Sequence, residues 1–81
     1  MWSYHKHKFC YEVFVRPKEG GPIRIWHYRM SPENREKAIN LAHAVSAWSQ
    51  IRVEVWDSMD DILAAFVNGI EVSTHAQRGY E

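Results

Sequence analysis

The chain has 81 residues, enough for one hydrophobic core and too few for a second. Apolar residues make up 46% and charged residues 25%, a balance that excludes a wholly disordered chain. The net charge is zero, yet residues 1–30 carry +4 and residues 31–81 carry −4, a polarity that can orient an approaching partner.

The chain opens with Met-Trp-Ser-Tyr-His-Lys-His-Lys, basic but lacking the apolar stretch of a signal peptide. Its longest apolar run, Ile62–Val67, is far below the ~20 residues of a membrane span. Cys10 is the only cysteine, so no internal disulfide forms, and a reducing cytoplasmic setting is expected. Residues 1–7 and 74–81 are expected to be flexible ends of a single domain covering 1–81.

Residues 8–16 alternate with a period of two and predict a strand. Phe9, Tyr11, Val13 and Val15 fall on one face, and Lys8, Cys10, Glu12, Phe14 and Arg16 on the other. Pro17–Pro22 contains Gly20-Gly21 and reads as a turn into a second strand, Ile23 to about Tyr28, closing a β-hairpin. The parity of that second strand stays open, since Ile23, Ile25 and His27 compete with Trp26, Tyr28 and Met30 for the core.

Ser31 followed by Pro32 is a helix start, with Glu33 in the first turn to complement the helix dipole. Ala38, Leu41, Ala42, Val45 and Trp48 form the predicted apolar stripe, with Glu36, Asn40 and His43 opposite it and facing water. Ile51–Trp56 alternates again, with Ile51, Val53 and Val55 predicted inward. Strand, helix and strand from 23 to 56 predict a crossover unit.

For residues 57–69 the sequence reads as a helix: Ser58 and Asp61 resemble a capping box, and Met59, Ile62, Leu63, Phe66, Val67 and Ile70 hold helical spacing. Asn68-Gly69 then supplies the C-terminal stop. Ile70–Ser73 adds a short edge strand. The expected fold is α+β: a two-layer sandwich of order β-β-α-β-α(-β), with a three- to four-stranded sheet and both helices on one face.

Helices on one face leave the other face of the sheet open. Parity assigns Phe14, Arg16, Arg52, Glu54 and Trp56 there, and Arg24, Trp26 and Tyr28 as well if Ile23, Ile25 and His27 point inward; the candidate binding residues are Phe14, Arg16, Arg24, Trp26, Tyr28, Arg52 and Trp56. Phe9, Tyr11, Trp48 and Phe66 are assigned to the core. Aromatics ringed by arginine form the kind of patch a small monomer seldom exposes, and such residues dominate binding energy at interfaces. Coverage by Met1–His7 or by the C-terminal tail would instead make this face a second small core.

Other chemistries have less behind them. His5, His7 and Cys10 have ligand chemistry but lack a fourth ligand and a shared face. His27 reads as an ordinary strand histidine, His43 as a solvated helix position and His75 as part of the tail. Cys10 has no base beside it for nucleophilic catalysis. Glu54, Asp57, Asp60 and Asp61 form an acidic cluster that could take a divalent cation, although the helix dipole explains Asp60 and Asp61 equally well. Gly20-Gly21 lies in a hairpin turn, so it is no phosphate loop.

The hairpin 8–28, the helix 31–48 and the segment Asp57-Ser58-Met59-Asp60-Asp61-Ile62, in a chain below a hundred residues, resemble small phage-encoded inhibitor proteins, among them anti-CRISPR proteins. That resemblance implies a protein without enzymatic machinery that blocks a host complex by occupying its surface. Many members are strongly acidic, which this chain is not. The sequence-level expectation is a non-enzymatic, cofactor-free protein-binding module acting on another protein, a protein complex or a second copy of itself, with no membrane partner. Single-stranded nucleic-acid binding through Arg16, Arg24 and Arg52 is the alternative, and metal-dependent catalysis a further one.

Overall fold

The structure, a computed structural model, describes residues 9–57 and 61–74. Five strands, β1 (Cys10–Arg16), β2 (Ile23–Arg29), β3 (Arg52–Trp56), β4 (Ile62–Val67) and β5 (Ile70–Val72), form one antiparallel sheet in the order β2-β1-β3-β4-β5. Among the described residues one helix, α1 (Pro32–Ser49), covers one face. β2 and β3 both run antiparallel to β1, so β2–α1–β3 is a crossover with β1 inserted between its strands.

The expected two-helix sandwich with a three- to four-stranded sheet is therefore wrong. Residues 62–67, assigned to a second helix, form strand β4, and the sheet has five strands. Asn68 and Gly69 both have positive φ, 54° and 81°, and they join Val67 to its ladder partner Ile70. That is the geometry of a two-residue hairpin turn, for which Asn-Gly flanked by apolar runs is the strongest short signal. The same dipeptide had served as a helix stop. Of the proposed capping box, Ser58 lies outside the described residues. Asp61 instead closes a turn with Asp57, whose N–H donates to the Asp61 carbonyl at 2.9 Å while Asp57 Oδ1 accepts from the Asp61 N–H at 3.1 Å.

Helix α1 starts as its sequence dictates. Ser31 is extended, and its Oγ accepts from the Asn34 N–H at 3.0 Å, with Pro32 in the first turn. Gln50 ends the helix in the left-handed region (φ 64°), its N–H donating to the Ser46 carbonyl. The buried stripe is Ala38, Ala42 and Ser46, rotated from the predicted one. Trp48, expected in the core, is 87% exposed, and Leu41 and Val45 are half-buried at the margin. Small residues on the buried stripe let the helix lie close to the sheet.

The core is Val13 and Val15 from β1, Val53 and Val55 from β3, and Ala64 and Phe66 from β4, under Ala38 and Ala42. The inward parity predicted for β1 and β3 holds. Phe9 does not reach the core and is 68% exposed, whereas Tyr11 packs against its margin. β2 carries a bulge: Val13 faces Trp26 but Phe14 faces Arg24, leaving Ile25 as the extra residue. β4 has a matching irregularity at Leu63.

Candidate functional site

Strand parity and the β2 bulge settle which predicted residues share a face. Phe14 pairs with Glu54 and Arg24, Arg16 with Arg52, and Glu12 with Trp56, so Phe14, Arg16, Arg24, Arg52 and Trp56 lie together on the face opposite α1. Trp26 and Tyr28 pair with Val13 and Tyr11 and belong to the helix side. The structure thus brings together five of the seven predicted residues and sends two to the other layer.

The centre of the outer face is Glu54, which parity places on this face and which also belongs to the acidic cluster in sequence. It is 1% exposed. Glu54 Oε2 accepts from Arg16 Nε at 2.8 Å and from Arg52 Nε at 2.6 Å, and Oε1 accepts from Trp56 Nε1 at 2.8 Å. All three donors come from its own strand or the one beside it, which the alternation of β1 and β3 makes obligatory once the register is set. Burial alone would raise the Glu54 carboxyl. Hydrogen bonds from Arg52, Trp56 and Arg16, with the charge of Arg16, outweigh that effect and hold the group below its ordinary 4.5. Parity already puts Arg52, Glu54 and Trp56 on one side of one strand; what it did not show is that the cation and the indole both bond the one carboxylate.

Around this centre the face covers itself. Arg52 is nearly buried and its Nη1 has no hydrogen-bond acceptor, while the Arg16 side chain remains 39% exposed. Arg24 Nη1 donates to Glu12 Oε2 at 2.9 Å in a more open pair. The rings of Phe14 and Trp56 meet edge to face, centroids 6.4 Å apart and planes at 78°. Beside them lies an open cleft of about 260 Å³ lined by Glu12, Phe14, Arg16, Pro22, Glu54 and Trp56.

The metal and catalytic candidates look different in place. Among the described residues, no three His, Cys, Asp or Glu side chains gather as a cation site. Glu54, part of the acidic cluster in sequence, is turned into the arginine network, and Asp60 lies outside the described residues, as do His5, His7 and His75. Cys10 is half-buried opposite Arg29 on the β1–β2 ladder. His27 sits opposite Glu12. His43, expected simply to face water, is exposed but meets the edge of Phe66, centroids 5.3 Å apart. Among the described residues no helix is long and apolar enough to cross a membrane.

No protein-family model, curated protein or solved structure matches the chain.

Proposed function

We propose that this protein is a non-enzymatic binding domain whose outer sheet face, centred on Phe14, Trp56 and Arg16, docks on another protein. The observation that carries this reading is the perpendicular Phe14–Trp56 pair standing beside an open cleft, with the half-exposed Arg16 on its wall. Aromatic and arginine side chains fixed in place before binding lose little entropy on docking, and they form the centre of most protein interfaces. Here the fixing is visible: Trp56 is held by Glu54, and Arg16 by the same carboxylate.

The second reading, single-stranded nucleic acid, needs free cations for phosphates. The three arginines of this face are each bonded to a carboxylate, Arg16 and Arg52 to Glu54 and Arg24 to Glu12, which leaves the group one positive charge. That compensation favours a protein partner. The resemblance to small phage-encoded inhibitors would make the outcome of docking the blockade of a host complex. Catalysis is disfavoured by the state of the most perturbed acid, because Glu54 is held ionised with both oxygens occupied, a poor arrangement for proton transfer.

The test is capture with the immobilised protein from lysate of its native host at physiological salt. A protein retained in stoichiometric amount supports the reading. Retention of nucleic acid alone, lost on raising salt, would replace it with the second one.

A further inference from the structure

A protein docked on the outer face takes Arg16 out of water. Arg16 lines the cleft with its side chain 39% exposed, and it spends Nε alone on Glu54. Among the described residues no acceptor takes its two Nη groups. Glu54 is already committed, Oε2 to Arg16 and Arg52 and Oε1 to Trp56. Arg52 shows the same shortage, since its Nη1 is buried and has no acceptor. The centre of the face is rich in donors and short of acceptors.

Charge points the same way. Arg16, Arg24 and Arg52 against Glu12 and Glu54 leave one positive charge. Water solvates that excess while the face is open. Under a docked protein it is desolvated, and an unpaired buried charge is strongly destabilising. A partner that closes the cleft must therefore bring an acceptor, and a single negative charge balances the site. A phosphate, with about −1.5 to −2 charges, overshoots it and meets Glu12 and Glu54 on the cleft wall.

Size narrows the occupant further. The cleft is about 260 Å³, below the range of about 300–1,000 Å³ typical of small-molecule sites, so it suits side chains of a protein. Phe14 lies two residues from Arg16 on β1, about 7 Å along the strand, and with Trp56 and Pro22 it gives the cleft an apolar wall. Side chains two positions apart on an extended segment have that same spacing. We infer that the cleft receives a short extended segment of the protein partner, with an acidic side chain on the Arg16 guanidinium and an apolar side chain two positions away against Phe14 and Trp56. This names the chemistry of the partner and rests on the docking reading above. A second copy presenting the same face has no carboxylate to spare, since Glu54 has both oxygens engaged and Arg24 holds Glu12.

The probe is the pentapeptide Gly-Leu-Gly-Glu-Gly, blocked at both ends, against analogues with glutamine or phosphoserine in place of the glutamate. Binding to the full chain is followed in NMR through the Trp56 indole N–H and the Arg16 Nε–H. The glutamate peptide is expected to move both signals and leave the Trp26 and Trp48 indoles in place. It should bind at least about fivefold more tightly than the glutamine peptide and no more weakly than the phosphoserine one, and Arg16→Gln should erase the preference for glutamate. Equal affinity for the glutamate and glutamine peptides, tighter binding of the phosphoserine peptide, or an unmoved Trp56 signal would overturn the inference. So would a dimer that Arg16→Gln dissolves, because the occupant would then be a second copy. Arg16→Gln should also weaken a protein captured through Phe14 and Trp56 at least about tenfold. Unchanged affinity for a partner that still requires Phe14 and Trp56 would remove the carboxylate and leave the docking reading standing.

Discussion

The Ser46 hydroxyl accepts a hydrogen bond from the Gly69 N–H at 3.0 Å, across 23 residues of sequence, while donating to the His43 carbonyl one turn back in α1. This polar link, in a buried position, fastens the end of the helix to the β4–β5 turn. A Cβ on Gly69 would lie 3.0 Å from the Ala47 Cβ, so the backbone there approaches the helix as closely as a glycine allows.

Gly69→Ala should therefore destabilise the domain twice over, by forcing a side chain at φ 81° and by pushing on Ala47. The expected loss is about 2 kcal/mol, read as a lower midpoint in urea unfolding. Ser46→Ala should cost about 1–2 kcal/mol, because the half-buried Gly69 N–H loses its acceptor. A neutral result for both would remove the helix-to-turn link from the account.

Trp48 and Phe66 provide a contrast in the opposite sense to their similarity in the sequence. Phe66→Ala empties the core beneath α1 and should cost about 3–5 kcal/mol. Trp48→Gln should leave stability within about 0.5 kcal/mol, since the indole is 87% exposed. Thermal denaturation of the two variants decides the point.

Much of the architecture was legible because alternation and capping are local signals. The inward set of β1 and β3, the Ser31-Pro32 start of α1 and the short β5 were all within reach of a period count. Residues 62–67 were not, because a short run apolar on both sides fits a helix and a buried strand equally. The deciding signal was present in Asn68-Gly69, whose hairpin chemistry was assigned to a helix terminus. The β2 parity was illegible for another reason. A bulge at Ile25 shifts the alternation partway along the strand, so no single phase could place Arg24, Trp26 and Tyr28 correctly. Of the outer face, parity places the aromatics, the arginines and Glu54 together, but the organising role of Glu54 was not readable, because its burial arises only when β1 and β3 lie side by side.

Stability should fall on acidification in a way that reports Glu54. Its folded carboxyl titrates below 4.5, so the network's contribution is fully present above about pH 4.5 and is lost as pH drops through the lower folded value. Glu54→Gln should cost about 3 kcal/mol at neutral pH and flatten this acid limb of the stability curve. Urea midpoints measured between about pH 3 and pH 7 for both proteins check the claim. An unchanged acid limb in Glu54→Gln would assign the pH dependence to other carboxylates.

The two arginines on Glu54 should be unequal. Arg52 is nearly buried, so Arg52→Gln strips a shielded partner and should cost about 3 kcal/mol. Arg16 is 39% exposed and water screens its pair, so Arg16→Gln should cost no more than about 1 kcal/mol. Equal losses in denaturant unfolding would contradict the burial argument. The small cost at Arg16 makes it the better site for separating binding from folding.

The account's central claim is that the outer face, through Phe14 and Trp56, binds another protein. It is tested most directly by repeating the capture with a Phe14→Thr, Trp56→Gln double variant whose folding is verified by thermal denaturation. Threonine suits a strand, and the glutamine amide can still donate to Glu54. The account predicts that the folded variant loses the partner by about 30-fold or more in affinity, the effect of removing two central anchors. A folded double variant that retains the partner at wild-type affinity would contradict it.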